Sequence, residues 1–287
     1  MSNGELIFSN YCACFIDLLG QRNALCGQDL LPAKEQVERY AVFREAARAS
    51  IGAIKGLQDD ASYFRDGLRE APSIREFLPD SEKPLYDEMI RAKPKQQRWS
   101  DGLFFYQSLS SSSFKCPMNA VTDMFMHAGT LCLLSLSRNN PIRGAIEISW
   151  GVELHDGELY GAAVKNSYEL ESDIAKWPRV VVGNHAIGYL KSIATRAITE
   201  SDKLAVYNRD LAELCLSLTK VDVDGFYILD YLGKSFAEKV FKESRKEIYE
   251  DAYRNVCSQL ELHVKDANSK LVERYSIVKK YFDENPD

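Results

Sequence analysis

The 287-residue sequence has four histidines and no CxxC pair among its seven cysteines, so neither a zinc-site spacing nor a dithiol redox motif is written into it. Cys12, Cys14, Cys26, Cys116, Cys132, Cys215 and Cys257 are odd in number and read as reduced core residues. A Walker-type glycine loop is missing, which leaves phosphate binding to metals and scattered basic side chains. No apolar run approaches the roughly 20 residues needed to span a bilayer. The richest, Met124 to Leu136, is broken by His127, Gly129, Thr130 and Ser135. The opening MSNGELIFSN lacks the basic region and apolar stretch of a signal peptide, so a cytoplasmic protein without a membrane partner is expected. Positive charge is not in excess either. Lys and Arg total 36 against 42 Asp and Glu, a net charge of −6 that argues against a nucleic-acid partner. A local basic pocket for a small anion stays compatible with that balance.

What is present is a globular composition, 45% hydrophobic and 27% charged, long enough to bury a sizeable core. No internal repeat is visible, and the only low-complexity patch, Ser108 to Ser113, reads as a loop. YCACFIDL at 11–18 predicts a buried strand ending near Asp17. Helical spacing runs over 33–57, and the proline-broken, polar stretch 58–97 reads as an inserted helix-loop segment. Strand character returns at 101–108 and a strong apolar helix follows at 117–138. IRGAIEISWGVEL suits a strand, turning at His155-Asp156-Gly157 into ELYGAAV as its hairpin partner. Helix at 162–175, a strand at 179–182, helix at 184–197 and a strand or hairpin at 220–231 complete the core. A charged helical tail runs from Ser235 to Phe282. The alternation predicts an α+β sandwich, a mostly antiparallel sheet with helices on one face, and the split βαβ arrangement is one topology that fits. Residues 1–233 are expected to form the catalytic-type domain, and 234–287 a helical extension packed on the core or on a second subunit.

Two carboxylates interrupt apolar strands, Asp17 in FIDLLG and Asp101 in WSDGLFFY. A carboxylate there loses hydration unless a cation sits beside it. A divalent metal is the economical partner, since Mg²⁺ or Mn²⁺ takes one or two carboxylates plus substrate phosphates. A pair of solvated strand-end caps is the alternative. The other chemistry-bearing residues have plainer readings. His127 and His263 fall in helices as packing or surface residues, His155 in a turn, and His185 at a helix start. Trp99 and Trp150 suit core packing ahead of base stacking, and Asp222, Asp224 and Asp230 read as one solvated strand face.

FIDLLG resembles the FxDIxG strand of the class III nucleotidyl cyclases, and WSDGLFFY their second metal strand. RGAIEISWGVELHDGELYGAAVKNSYELES resembles their strand hairpin and following helix, with PRVVVG as the next strand. These segments keep the family's order over about half of the chain. The resemblance implies a ferredoxin-like palm and a homodimer with active sites between subunits. It implies two Mg²⁺ or Mn²⁺ ions on Asp17 and Asp101, with Ile16 among the metal residues. It also implies that the backbone amides of Ile16 to Leu19, Leu18 and Leu19 included, face the triphosphate. Asp17 and Asp101 are 101 − 17 = 84 residues apart, longer than is typical of the family. Where the family helix carries a transition-state Asn and Arg, this chain has Lys165 and Glu169, and Asn166 lies one place off. Lys165 and Arg143 are the basic residues in reach to replace that charge.

Adenylyl cyclases place a Lys shortly before the second metal Asp and an Asp just before the YG step; here those neighbourhoods hold Arg98 and Glu158. Arginine donates only and glutamate accepts only, which complements a uracil carbonyl and its N3–H. Guanine offers a similar pair of groups. The whole set looks most like the bacterial pyrimidine cyclases of Pycsar anti-phage defence, which make cyclic UMP or cyclic CMP as an alarm signal. The expectation is therefore a cyclase turning UTP into cyclic UMP and pyrophosphate for a separately encoded effector. A guanylyl, adenylyl or cytidylyl cyclase and a nucleotide-binding pseudoenzyme are the alternatives. A polymerase-like or diguanylate-forming palm ranks last because the GG[DE]EF-type hairpin is missing.

Overall fold

The computed structural model describes residues 6–20, 30–33, 35–67, 73–109, 118–241 and 245–287. Strand β1 spans Phe8–Leu18 and is followed by helix α1, Val37–Gly67, and helix α2, Lys83–Arg91. The hairpin β2, Lys95–Trp99, and β3, Gly102–Ser108, leads to α3, Met118–Ser137. Then come β4, Ile142–His155; β5, Glu158–Tyr160; α4, Ala162–Glu169, running into a π-helical turn at Leu170–Ile174; and β6, Val180–Val182. Helices α5, Asn184–Ala194, and α6, Lys203–Ser217, precede the hairpin β7, Thr219–Val221, and β8, Tyr227–Leu229. A short helix, Lys234–Phe236, and the helices α7, Arg245–Lys265, and α8, Ser269–Glu284, end the chain.

The sheet order is β2-β3-β1-β4-β6-β8-β7, with β5 paired to β4. In the first four strands every neighbour is antiparallel, and helices connect β1 to β2 and β3 to β4. That is a split βαβ pair, the α+β arrangement expected. The pairing of β4 with β6 is parallel, so the whole sheet is mixed. β1 lies inside it, and Tyr11 to Ile16 read as one continuous apolar run, whereas β4 alternates apolar residues with Arg143, Glu147, Ser149 and Glu153. Gly144 lets them meet, since a Cβ there would come within 2.7 Å of the Phe15 carbonyl oxygen.

One sheet face carries Cys12, Cys14, Ile16, Leu103, Phe105, Ile142 and Ile146 into the main core, against α3 and its neighbours. The other face carries Tyr11, Ala13, Phe15, Phe104 and Tyr106, covered in part by Leu159 and Ala163. Helices are therefore not confined to one face, because α4 lies on the second.

The stretch expected as one inserted segment is three things. Helix α1 runs on to Gly67, α2 starts at Lys83 with Pro84 in its first turn, and the last residues are β2. Helix α3 is, by length and composition, long and apolar enough to cross a membrane, and it is mostly buried in this protein. It packs against α7, where Asn255 Nδ2 donates to the Leu136 and Ser137 carbonyls, and the buried Phe236 ring lies where a Cβ on Gly129 would go. Cys12, Cys14, Cys132 and Cys215 are buried free thiols, and Cys257 is half-buried. Cys26, Cys116 and residues 110–113 of the serine-rich loop lie outside the described residues.

Candidate active site

Strand register brings the two aspartates together. Asp17 pairs with Gly102 on β3 and with Arg143 on β4. Asp101 occupies the turn immediately before Gly102, and its carbonyl accepts from the Leu18 N–H at 3.4 Å. Ser100, the first turn residue, has φ 52°, the left-handed region that a two-residue hairpin turn demands. Both carboxylates thus sit at one end of the sheet, and Asp17 projects on the second face with Phe15 and Phe104.

Arg143 projects on that same face. Its Nη2 lies 3.4 Å from Asp17 Oδ2, its Nε 2.5 Å from Glu171 Oε1, and its Nη1 donates to the Ser172 carbonyl at 3.3 Å. The Nε–Glu171 approach is an ion-pair contact whose alignment falls short of a hydrogen bond. Glu171 sits in the π-helical turn and is 1% exposed. Burial pushes its carboxyl up to about 7, with Asp17, Asp101 and Asp173 adding to the rise and Arg143 opposing it. A second cation comes from the C-terminal helix. Arg274 of α8 is held below the ordinary arginine value by burial and by the field of Arg143. Neither Glu171 nor Arg274 was selected from sequence. The LES triplet carries the first, while nothing local marks the second.

Among the described residues no group of three or more His, Cys, Asp or Glu side chains is arranged to hold a metal ion. Two carboxylates at one strand end are hard oxygen donors that leave most of a metal's coordination to water and phosphate. They fit Mg²⁺ or Mn²⁺ held jointly with substrate rather than in an all-protein cage.

The remaining expected residues divide. Ile16 is fully buried, and a Cβ on Gly102 would meet its carbonyl oxygen at 3.0 Å. The Leu18 N–H is given to Asp101, as above, and the Leu19 N–H to the Pro141 carbonyl at 2.9 Å, so in this structure both donors serve the fold rather than a phosphate. Arg98 pairs with Leu103 on β3, which puts it on the helix-covered face, away from Asp17. Gln97 pairs with Phe104 and takes the Asp17 face, and its Oε1 is buried without a hydrogen-bond partner. Lys165 is 66% exposed and pairs with Glu169 at 2.8 Å on α4 rather than with Asp17. Glu158 is exposed at the start of β5. The tip of its hairpin is held by Lys95, which contacts Glu153 at 2.6 Å and Asp156 at 2.7 Å. Lys95 and Trp99 are opposite ends of β2, roughly 13 Å apart. One chain therefore does not bring Glu158 to the aspartates.

Trp99 and Trp150 are half-exposed rather than core residues. Trp99 and Tyr168 both stand edge-on to Phe15, at 5.7 and 5.5 Å between ring centroids, and form an aromatic notch beside Asp17. Asp222 and Asp224 do not form a solvated face, since both pair with the buried guanidinium of Arg179. Asp230 accepts from Tyr281 Oη at 2.7 Å. His185 Nδ1 lies 3.5 Å from the buried Glu147, which accepts from the Ala186 N–H in the first turn of α5.

No family model matches the chain, and no curated protein matches it. Among solved structures, the chain is similar to the monomeric guanylyl cyclase domain of the RhoGC fusion protein from the aquatic fungus Blastocladiella emersonii. That match has 10% identity and a TM-score of 0.38, covering 66% of this chain and 90% of that one. A double mutant of the same fungal domain matches at 10% identity and TM-score 0.40, over 79% and 98% of the two chains. The catalytic core of a rhodopsin-guanylyl cyclase with converted specificity, in complex with ATPαS, matches at 9% identity and TM-score 0.39, over 78% and 98%.

Proposed function

We propose that the chain is a nucleotide cyclase that converts UTP into 3′,5′-cyclic UMP and pyrophosphate, working as a homodimer. The observation that carries the reading is the meeting of Asp17, Asp101 and Arg143 at one strand end, within the motifs that resemble class III cyclases. Asp17 and Asp101 would hold Mg²⁺ or Mn²⁺, two per site. Such ions, when bound, acidify the ribose 3′-hydroxyl and neutralise the triphosphate. The 3′-oxygen forms a bond to the α-phosphorus in line as the bond to the β-phosphate oxygen breaks, and the hydroxyl proton passes to water. Catalysis is then mainly positioning and charge neutralisation.

Arg143 offers its outer guanidinium edge to phosphate oxygens, and the notch of Phe15, Trp99 and Tyr168 suits a flat base. On the Asp17 face Gln97 takes the place expected for Arg98, and rotation of its side chain out of its buried position would let its oxygen accept from the uracil N3–H. Glu158 would arrive from the second subunit. The exposed Phe8, Trp150 and Tyr160 give that subunit an apolar surface to cover. Lys165 is free to act at low cost, because an exposed ion pair such as Lys165–Glu169 contributes about 0–1 kcal/mol. The Pycsar likeness extends the reading to a phage-defence signal acting on a separately encoded effector. A nucleotide-binding protein without turnover is the second reading, and the Lys165–Glu169 pair at the positions of the family's Asn and Arg favours it.

The test is incubation of the purified chain with Mn²⁺ and each of UTP, CTP, GTP and ATP, with products identified by mass. Cyclic UMP as the main product is expected. Cyclic GMP as the main product would replace the uridylate reading with a guanylyl cyclase. Tight binding without any cyclic product would leave the second reading.

A further inference from the structure

We infer that Glu171 is a positioning residue, which holds the Arg143 guanidinium in place so that its outer edge is presented to a polyphosphate at Asp17. The inference rests on the cyclase reading for what the polyphosphate is, but its geometry is independent of that reading.

A carboxylate that is 1% exposed is costly to bury unless it is paired, and breaking such a pair is more costly still. Glu171 contacts the innermost guanidinium nitrogen, Nε, at 2.5 Å. The next residue, Ser172, accepts from Nη1 through its carbonyl at 3.3 Å. Two consecutive residues of one π-helical turn therefore grip the arginine from behind. Such turns inserted after an α-helix recur at functional sites, because they re-aim neighbouring residues. The third contact, Nη2 to Asp17 Oδ2, is the longest at 3.4 Å and lies on the open side, where Arg143 is 20% and Asp17 22% exposed.

An arginine held this way has lost most of its rotamer freedom before any ligand arrives. Its planar fork matches the spacing of two phosphate oxygens, and a carboxylate behind it fixes the plane of that fork. Were Asp17 to hold a cation together with the polyphosphate, Nη2 and the second hydrogen of Nη1 would be left facing oxyanions. The family positions for an Asn and an Arg hold Lys165 and Glu169, an exposed pair that does not fix the lysine in place. Arg143, held by Glu171 and the Ser172 carbonyl, is therefore the cation fixed in place on this side of the site.

The experiment is a double-mutant cycle on inorganic tripolyphosphate binding, read by calorimetry at pH 8 with Mn²⁺ present, for the full chain and its E171Q, R143Q and E171Q/R143Q variants. Each single variant is expected to weaken binding by about tenfold or more, and the double variant to be no weaker than R143Q alone. Wild-type affinity in E171Q, losses that multiply in the double variant, or no tripolyphosphate binding by the wild type would each overturn the inference. If E171Q does not fold, E171D keeps the charge but shortens its reach, and the same loss of affinity is expected of it. A second readout is the ¹⁵Nε–H resonance of Arg143, expected to be slow to exchange in the wild type and fast in the Glu171 variant. Equal exchange in both would also overturn the inference. A coupled cycle in a protein that makes no cyclic nucleotide would sink the cyclase reading alone. An uncoupled cycle in an active cyclase would sink this inference alone.

Discussion

Arg98 and Asp17 project from opposite faces of one sheet. Arg98 pairs with Leu103, whereas Asp17 pairs with Gly102, and successive residues of a strand alternate sides. Base selection by Arg98 would require its side chain to cross the edge of the sheet. Replacing Arg98 by Ala is therefore expected to leave the ratio of UTP to CTP turnover unchanged, while Gln97→Leu shifts it by about tenfold, since a site that hydrogen-bonds its substrate discriminates through that bond. Competition assays with both nucleotides check this. A large change in R98A with none in Q97L would return the role to Arg98.

Substitution of either aspartate should remove turnover without unfolding the chain. Asp17→Asn and Asp101→Asn each delete a hard oxygen ligand at the partly open strand end, and a loss of about 10³-fold or more is expected. Circular dichroism and thermal melts should match those of the parent. Near-parental turnover in both variants would dissociate the two carboxylates from the chemistry.

The pH dependence of stability should carry the signature of Glu171. Burial lifts its carboxyl from 4.5 to about 7 in the folded chain. Between those values the native state holds a proton that the unfolded chain has released. The stabilisation from this group is thus complete below about 4.5 and fades as pH rises through about 7. Relative to E171Q, the parent should lose on the order of 3 kcal/mol of unfolding free energy across that window. Urea denaturation at a series of pH values measures the difference, and parallel curves for the two proteins would contradict it.

Gly144 and Gly188 should respond in opposite directions to alanine. At Gly144 a methyl group would press on the Phe15 carbonyl at 2.7 Å, and a loss of about 1–3 kcal/mol is expected from overpacking. At Gly188, inside α5, nothing lies within 4 Å of the added carbon, and helix propensity predicts a gain of up to about 1 kcal/mol. Denaturation midpoints of the two variants decide the matter.

Much of the architecture was legible because β1, β3 and α3 are apolar over long stretches and β4 alternates apolar with polar residues. β2 was not, because Lys95-Gln-Gln-Arg-Trp is an edge strand whose polar residues show no alternation. Helix α6, Lys203–Ser217, went unassigned between the helix and the hairpin around it. Asp17 and Asp101 stand out in the sequence because charge inside an apolar run is conspicuous, whereas Arg143 is suggested only as a basic residue near the place of the family's missing charge. The face that Arg98 takes is not legible in the motif, because a one-residue difference in register reverses a side chain and motif spacing does not resolve one residue. Asp222 and Asp224 looked solvated because their partner, Arg179, lies more than 40 residues earlier in the chain.

The seat of Phe236 on Gly129 reaches further than packing. The ring occupies the space a side chain would need at mid-helix, so the terminal segment is keyed into α3 rather than laid over it. A chain ending at residue 233 would leave a groove open along a helix greasy enough to enter a lipid bilayer. Such a fragment is expected to be found with chaperones, aggregates or membranes, so enzymology on this protein calls for its full C-terminus.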